Sequence, residues 1–251
     1  MKALITGASS GLGWDFAKYL SSLGHDVIII ARRKDRLEQL AKSLKTNVRI
    51  IELDLNPEEN CIKLYNLVKD EDIDILVNNA GFGAFGEFTE TSLERELDMI
   101  NVNIKAVHIL TKLFLQDMKN KDKGYILNVA STAAFVPGPL MATYYSTKSY
   151  VFRLTESIYE ELKKSKSNVI ICALCPGPVS TEFNDIANVK FSLKPLSSEY
   201  VAKYGIDNMF RKKLVIVPGF INKLSRFFAK LTPDKLSMKI SYRIQKKKSS
   251  Q

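Results

Sequence analysis

The sequence predicts an α/β fold, a doubly wound parallel sheet of about seven strands with helices on both faces. Short apolar runs alternate with longer amphipathic stretches along most of the chain. The apolar runs are continuous, as in Val-Ile-Ile-Ile at 27–30, which is typical of strands that are covered on both faces. A chain of 251 residues suits one large α/β domain, and no internal repeat or linker interrupts it.

Seven strands and six helices are predicted in alternation. The strands are expected at 2–6, 26–31, 48–53, 73–77, 124–129, 168–174 and 213–217. The helices are expected near 12–23, 34–44, 57–69, 91–119, 142–165 and 197–211. Because strand–helix–strand crossovers are right-handed, this alternation gives a parallel sheet with helices on each side.

A glycine-rich turn follows the first predicted strand. Gly7, Gly11 and Gly13 belong to the stretch Gly-Ala-Ser-Ser-Gly-Leu-Gly, which leads into a helix. Glycines let the backbone approach a pyrophosphate, and a helix N-terminus offers free N–H groups and a positive dipole end. Strand, turn and helix are the context of a dinucleotide site, although the spacing is not Gly-x-Gly-x-x-Gly.

A tyrosine and a lysine four residues apart give the strongest indication of chemistry. Tyr144 and Lys148 project from one face of a predicted helix, and Ser131 lies thirteen residues before Tyr144. An ammonium group stabilises a phenolate, so we expect Lys148 to lower the pKa of Tyr144 toward neutrality. Such a phenol exchanges a proton with a substrate oxygen. Tyr145 is excluded because Ser149 occupies its +4 position.

Six motifs occur together along the chain. They are Thr-Gly-Ala-Ser-Ser-Gly-Leu-Gly at 6–13, Asn-Asn-Ala-Gly at 78–81, Asn-Val-Asn at 101–103, Asn-Val-Ala-Ser at 128–131, Tyr-x-x-x-Lys at 144–148 and Pro-Gly-Pro-Val-Ser-Thr at 176–181. In order and spacing the chain resembles the short-chain dehydrogenases/reductases, over roughly residues 1–185. The resemblance implies a Rossmann-like fold and hydride transfer between a nicotinamide and a carbonyl or secondary alcohol.

Four catalytic residues follow from this resemblance. Ser131 is expected to hydrogen-bond the carbonyl oxygen, and Tyr144 to donate the proton to that oxygen. Lys148 is expected to lower the Tyr144 pKa and to hold the nicotinamide ribose. Asn103 resembles the family residue that holds a water molecule in the proton relay.

The cofactor site is expected at the glycine turn and at the ends of the following strands. The expected cofactor-binding residues are Gly7, Ser9, Ser10, Gly11, Leu12, Gly13, Arg32, Arg33, Asp54, Leu55, Asn79, Ala80, Gly81, Tyr144, Lys148, Pro176, Gly177, Val179 and Thr181. Asp54 resembles the residue that meets the adenine amino group, or is otherwise an N-cap or turn residue before Asn56 and Pro57. By the same resemblance, 79–81 pass the adenosine ribose and Thr181 binds the carboxamide.

Two arginines follow the second predicted strand, where an acid would hold a ribose 2′-hydroxyl. Arg32 and Arg33 instead suit a 2′-phosphate, because arginine binds phosphate with paired N–H donors and stays charged. NADP(H) is therefore favoured over NAD(H). The alternative is that both arginines belong to a solvated helix start.

Positive charge is concentrated at the C-terminus. Residues 211–251 hold 12 Lys/Arg and 1 acid, whereas the first 210 residues hold 25 and 26. We expect a dehydrogenase domain at 1–219 and a basic extension at 220–251, with an amphipathic helix at 220–231. Such a helix either lies on an anionic membrane surface, or covers the substrate site, or packs on the body. The last seven residues, 245–251, are expected to be frayed.

The sequence leaves the substrate open. An apolar lid and pocket wall are expected at about 182–211, with Phe183, Phe191, Leu193, Leu196 and Tyr200, and they favour a hydrophobic substrate. Three functions remain: an NADP(H)-dependent carbonyl reductase, a fatty-acyl or lipid reductase at the membrane surface, and a non-catalytic NADP-binding sensor.

A homodimer or homotetramer is expected from the family, paired through the two long helices. No nucleic-acid-binding module is recognised.

The cysteines indicate a reducing compartment. Cys61, Cys172 and Cys175 are an odd and sparse set, and the last two are interpreted as buried thiols of one strand, with no metal site. A strand that starts at residue 2 leaves no room for a signal peptide, and no apolar run is long enough to span a membrane. A cytoplasmic protein, with peripheral contact at the inner membrane surface as an option, is expected.

Overall fold

A twisted parallel sheet forms the centre of the protein. The computed structural model describes residues 1–183, 187 and 195–249, with the backbone alone at 247–249. Within this part, the strands are β1 (Lys2–Thr6), β2 (Asp26–Ala31), β3 (Val48–Glu52), β4 (Ile75–Asn78), β5 (Tyr125–Val129), β6 (Ile170–Leu174), β7 (Val179–Ser180), β8 (Leu196–Ser197) and β9 (Val215–Ile216). Seven of them pair in the order β3-β2-β1-β4-β5-β6-β9, all parallel, as predicted. β7 and β8 form a separate parallel pair.

Helices cover both faces of the sheet. They are α1 (Gly11–Ser22), α2 (Lys34–Ser43), α3 (Glu58–Val68), α4 (Leu93–Ile100), α5 (Val107–Asn120), α6 (Ala142–Lys164), α7 (Ser198–Phe210), α8 (Phe220–Leu231) and α9 (Asp234–Ser249). On one face α1, α2 and α7 bury a core around Phe16, Leu37 and Ile206. On the other face α3, α5 and α6 bury a second core around Leu64 and Phe114. None of the described helices is both long and apolar enough to span a membrane.

The strand order reverses beside β1, which pairs with β2 on one side and β4 on the other. In such sheets the connections leave toward opposite faces at this point, so a crevice opens at the carboxyl ends of the strands. The polar residues that follow β1, β2, β4 and β5 therefore gather around one opening.

The predicted helix at 91–119 is one continuous run with an irregular centre. α4 passes into a π-helical segment, Asn101–Ala106, and then into α5. Asn103 lies in the π-helical segment and is fully buried. π-helical turns inside α-helices are often found at functional sites.

The three cysteines are free and buried in the core. Burial raises the pKa of Cys172 and of Cys175 to about 12, so both thiols are protonated at neutral pH. This agrees with their interpretation as small apolar residues of β6 and its end.

The C-terminal extension forms two helices, and its end is better ordered than the sequence suggested. α9 runs to Ser249, and the Gln245 side chain is buried and donates a hydrogen bond to the hydroxyl of Tyr145. The expectation of fraying from 245 onward was therefore wrong for Gln245. The cause is a tertiary contact across 100 residues of sequence, which no local pattern indicates.

Candidate active site

A cavity of about 630 Å³ opens at the carboxyl ends of the central strands. Almost every residue that the sequence analysis assigned to catalysis or cofactor binding lines this cavity. The exceptions are Gly13 and Asn103, which lie just behind its wall. The glycine turn, the two arginines, and the Ser131, Tyr144 and Lys148 side chains thus belong to one space.

The glycine turn has a backbone that only glycine adopts easily. Gly7 and Gly11 have φ angles of +69° and +53°. A Cβ at Gly7 would lie 2.8 Å from the Cα of Ala80, and one at Gly13 would lie 2.2 Å from the Gly7 carbonyl oxygen. Because Gly13 has no side chain, α1 packs directly against the turn at this residue. Gly13 therefore lies behind the turn and does not line the cavity. Ser10, the N-cap of α1, makes no side-chain capping bond, so the turn presents the helix N-terminus to the cavity.

Asn79 and Ala80 fasten the end of β4 to the end of β1. The Thr6 hydroxyl accepts hydrogen bonds from the backbone N–H groups of Asn79 (2.9 Å) and Ala80 (3.0 Å). The Asn79 side chain donates to the carbonyl oxygens of Thr6 (2.9 Å) and Gly7 (3.3 Å). These bonds fix the shape of the turn, because they satisfy backbone groups at the end of β1 and at the end of β4.

The two arginines differ in how they are held. Arg33 Nη2 lies 3.2 Å from the Ser9 hydroxyl and 2.9 Å from a carboxylate oxygen of Glu182. This hydrogen bond from Arg33 holds the pKa of Glu182 below its usual range. Arg32 is 75% exposed, with Nη1 3.7 Å from a carboxylate oxygen of Asp54.

Asp54 adopts the turn role that was its alternative in the sequence. Its Oδ1 accepts a hydrogen bond of 3.0 Å from the backbone N–H of Asn56, two residues later. The carboxylate also lines the cavity beside Leu55. A capped turn at this point keeps the end of β3 facing the opening.

Tyr144 and Lys148 lie side by side in the cavity wall, on the first turns of α6. Lys148 is buried, and its Nζ donates a 2.9 Å hydrogen bond to the Val129 carbonyl oxygen. The same Nζ is 5.9 Å from the centre of the Tyr144 ring. The Ser131 hydroxyl accepts from the N–H of Ala133 at 3.1 Å, which fixes it as the cap of a 3-10 turn at Thr132–Phe135.

The expected lowering of the Tyr144 pKa is wrong for this structure. Burial raises the pKa of Tyr144 above its ordinary value, and a hydrogen bond with Ser131 only partly opposes this. Burial also lowers the pKa of Lys148 to about 8. Desolvation disfavours the charged form of both groups and is the largest cause of both shifts.

Asn103 lies behind the catalytic side chains, and its side chain makes three hydrogen bonds with protein groups. Its Oδ1 accepts from the N–H of Phe82 at 3.1 Å, and its Nδ2 donates to the Phe82 carbonyl oxygen (2.9 Å) and the Thr147 hydroxyl (3.1 Å). A Cβ at Gly81 would lie 2.8 Å from Asn103 Oδ1 and 3.5 Å from Lys148 Nζ. The absence of a side chain at Gly81 thus keeps Asn103 and Lys148 close to each other.

The segment 176–181 closes the other side of the cavity. The Ser131 hydroxyl lies 3.4 Å from the Pro176 carbonyl oxygen, and Pro176, Gly177 and Val179 line the cavity. The Thr181 methyl group would lie 2.9 Å from a Cβ at Gly11. The segment therefore rests directly on the glycine turn.

Several cavity residues were not identified from the sequence. They include Phe82, Arg95, Asp98, Met141, Tyr145 and Ile244. Phe183 lines the cavity as expected, with its ring centre 5.3 Å from that of Tyr144. Leu196 and Tyr200 do not line it, because Leu196 lies in β8 and packs against the core around Phe16, whereas Tyr200 is 46% exposed on α7. Phe191 and Leu193 lie outside the described residues.

Known proteins resemble the chain in both sequence and structure. The family model for the short chain dehydrogenases matches residues 1–190. An uncharacterized oxidoreductase of Staphylococcus epidermidis is 32% identical over 185 residues, which are 73% of this chain and 80% of that protein. The human very-long-chain 3-oxoacyl-CoA reductase is 32% identical over 194 residues, which are 73% of this chain and 61% of that protein.

Among solved structures, a short-chain dehydrogenase from Sphingobium yanoikuyae in complex with NADPH superposes with a TM-score of 0.81. It is 26% identical, and the match covers 92% of this chain and 94% of that one. Solved structures of this fold include complexes with NADPH and with NAD. From its motifs, its sheet and these matches together, the chain belongs to the short-chain dehydrogenase family of oxidoreductases.

Proposed function

We propose that the protein is an NADP(H)-dependent oxidoreductase that interconverts a carbonyl and a secondary alcohol on a hydrophobic substrate. The observation that carries this proposal is the position of Ser131, Tyr144 and Lys148 in the wall of the cavity that also holds the glycine turn. A hydroxyl, a phenol and a buried ammonium beside a dinucleotide cradle are suited to hydride transfer coupled to proton transfer.

The cavity fits a nicotinamide dinucleotide. The turn at Gly7 and Gly11 packs so closely on Ala80 and Thr181 that neither position admits a Cβ, and the N-terminus of α1 suits a pyrophosphate. Asn79 to Gly81 would pass the adenosine ribose, Lys148 would hold the nicotinamide ribose and Thr181 the carboxamide. When bound, the cofactor supplies or accepts the hydride at its nicotinamide ring.

The protein's own groups then handle one proton. Because burial raises the pKa of Tyr144, its phenol is protonated at neutral pH and is ready to donate to a carbonyl oxygen. The Ser131 hydroxyl holds that oxygen. Lys148, whose pKa of about 8 lies close to neutrality, stabilises the phenolate that forms and returns a proton to it. Asn103 fixes the backbone beside Lys148 and is proposed to position a water molecule of the relay.

The preference for NADP(H) over NAD(H) rests on Arg32 and Arg33. Both line the cavity after β2, where an acidic residue would favour a free ribose hydroxyl. Arg33 is already held in place through Ser9, so less side-chain freedom is lost when it binds a phosphate.

The hydrophobic substrate is supported by the apolar part of the cavity, which includes Phe82, Met141, Phe183 and Ile244. A second candidate, a reductase of fatty-acyl or other lipid carbonyls, is favoured by the similarity to a very-long-chain 3-oxoacyl-CoA reductase. A non-catalytic NADP-binding sensor is opposed by the complete set of Ser131, Tyr144, Lys148 and Asn103.

The homodimer or homotetramer stays a prediction. The free, buried cysteines support a reducing compartment such as the cytoplasm.

The experiment that tests this function is a panel of ketones, aldehydes and 3-oxoacyl thioesters of increasing chain length, with NADPH consumption as the signal. The proposal expects turnover that increases with the apolar length of the substrate and is faster with NADPH than with NADH. Cofactor binding without turnover on any carbonyl would support the sensor instead.

A further inference from the structure

The helix α8 has its apolar side turned away from the protein. Its six large apolar residues are all between 44% and 78% exposed: Phe220, Ile221, Leu224, Phe227, Phe228 and Leu231. At 100° per residue they share one face of the helix. No residue of α8 is buried. In a soluble protein the apolar face of such a helix is expected against the core.

Polar and basic side chains of α8 make the contacts with the body. The Asn222 side chain packs against Gly177, where an added Cβ would lie 2.4 Å from Asn222 Oδ1. The Arg226 guanidinium lies 5.2 Å from the centre of the Phe135 ring, and Lys223 Nζ lies 5.6 Å from that of Tyr204. The helix is thus held by its polar side, and this fixes the outward direction of the apolar side.

The next helix, α9, repeats part of this arrangement. It buries polar side chains four residues apart, Ser237, Ser241 and Gln245. It exposes five large apolar side chains on the flanks: Leu236, Met238, Ile240, Tyr242 and Ile244. Together the two helices expose eleven large apolar residues, which we name the C-terminal apolar surface. On α9 these residues lie on both flanks of the buried polar stripe, with Leu236, Ile240 and Ile244 on one flank and Met238 and Tyr242 on the other. Exposed apolar surfaces of this extent mark contact sites for proteins or membranes.

We propose that the C-terminal apolar surface binds an anionic lipid bilayer. The basic side chains beside this surface favour an anionic bilayer over a second copy of the chain. Lys230, Lys235, Lys239 and Arg243 are exposed on the same two helices, whereas Asp234 is the one acid of residues 211–251. An amphipathic helix with apolar and Lys/Arg residues lies in the headgroup region of such a bilayer. A second copy of the chain would bring like charges together, and this disfavours self-association through the same surface.

The surface also reaches the candidate active site. Ile244, at the end of the exposed stripe on α9, lines the cavity, and its neighbour Gln245 is bonded to Tyr145. A bilayer on this surface would therefore lie beside the cavity. This consequence rests on the proposed function, but the lipid binding does not.

The test is cosedimentation of the full-length protein with vesicles of equal parts phosphatidylglycerol and phosphatidylcholine, and with phosphatidylcholine alone. The proposal expects binding to the anionic vesicles at low salt and loss of binding at high salt, because each basic residue near an anionic surface strengthens binding roughly fivefold. The double variant Leu224→Gln with Phe228→Gln should bind at least tenfold more weakly. Both side chains are exposed, so the fold should persist.

A matched control is Ile62→Gln with Leu67→Gln on α3, which removes two apolar residues of similar exposure, 49% and 44%. The control should bind vesicles normally. The proposal is overturned if the unmodified protein stays unbound, if neutral vesicles bind it as well, or if the control loses binding equally. It is also overturned if sedimentation shows a dimer that only the Leu224→Gln, Phe228→Gln variant abolishes. NADPH turnover of a small carbonyl, measured in parallel, shows whether the proposed function stands independently of lipid binding.

Discussion

Replacement of Arg33 tests the proposed cofactor preference at a single side chain. Its guanidinium lines the cavity and lies 3.2 Å from the Ser9 hydroxyl, so it is oriented before any phosphate arrives. We expect Arg33→Ala to weaken NADPH binding and to leave NADH binding almost unchanged, because only NADPH carries the 2′-phosphate.

The size of the effect follows from two opposing contributions. A hydrogen bond to a charged group contributes about 1.5–3 kcal/mol. Against this, Arg33 gives up its ion pair with Glu182, and such a partly exposed pair contributes about 0.2–1 kcal/mol. The net loss on Arg33→Ala is about 0.5–2.8 kcal/mol, which corresponds to roughly a twofold to hundredfold higher Kd for NADPH.

The assay is a fluorescence titration of NADPH and of NADH with the unmodified protein and with Arg33→Ala. Lys34→Ala is the matched control, because Lys34 begins α2 beside Arg33 and is absent from the residues that line the cavity. The control should change neither Kd by more than about twofold, as expected for a screened surface charge. Equal affinities of the unmodified protein for both cofactors would refute the reasoning, as would equal losses for both in Arg33→Ala.

Two further predictions concern Glu182 and Lys148. Glu182→Gln removes the carboxylate that pairs with Arg33, so NADPH should bind up to about fivefold more tightly. The same titration checks this, and an unchanged affinity would mean that Glu182 does not compete with the 2′-phosphate of NADPH for Arg33. Lys148→Met should stabilise the fold at neutral pH by about 1–2 kcal/mol. The pKa of Lys148 falls from 10.5 to about 8, so the unfolded chain binds more protons between these pH values. Below pH 8 the buried ammonium therefore lowers the free energy of unfolding by about 3 kcal/mol, and its hydrogen bond to Val129 offsets part of this loss. Thermal unfolding should show a gain of a few degrees at neutral pH that shrinks or reverses near pH 10.5, and a loss at neutral pH would contradict it.

The parts of the site that were predictable depend on residues close in sequence. The glycine turn could be located because Gly7, Gly11 and Gly13 directly join a strand to a helix. Tyr144 could be separated from Tyr145 because a helix fixes which residue lies one turn from Lys148. Continuous apolar runs were sufficient for a parallel sheet, since strands buried on both faces need no alternation.

The remainder depends on contacts between distant segments. Arg33 meets Glu182 across 149 residues, and Gln245 meets Tyr145 across 100. The pKa of Tyr144 rises because of burial, which the spacing of Tyr and Lys does not reveal. The π-helical segment around Asn103 is stabilised by bonds to the Phe82 backbone, outside its own helix.

The orientation of α8 has a related cause. Periodicity in the sequence locates an apolar face, but it does not say which face meets the body. Here the contacts of Asn222 with Gly177 and of Arg226 with Phe135 decide the orientation.

Single-turnover oxidation of pre-bound NADPH by an accepted carbonyl tests the central claim most directly, with Tyr144→Phe compared with the unmodified protein. Tyr144→Phe removes one hydroxyl, so NADPH should still bind while the rate falls by about 10²–10⁴-fold, as for loss of a general acid. Tyr145→Phe is the neighbouring control and should stay within about tenfold, or about 1.4 kcal/mol. A near-normal rate in Tyr144→Phe would contradict the assignment of Tyr144 as the proton donor and, with it, the proposed carbonyl chemistry.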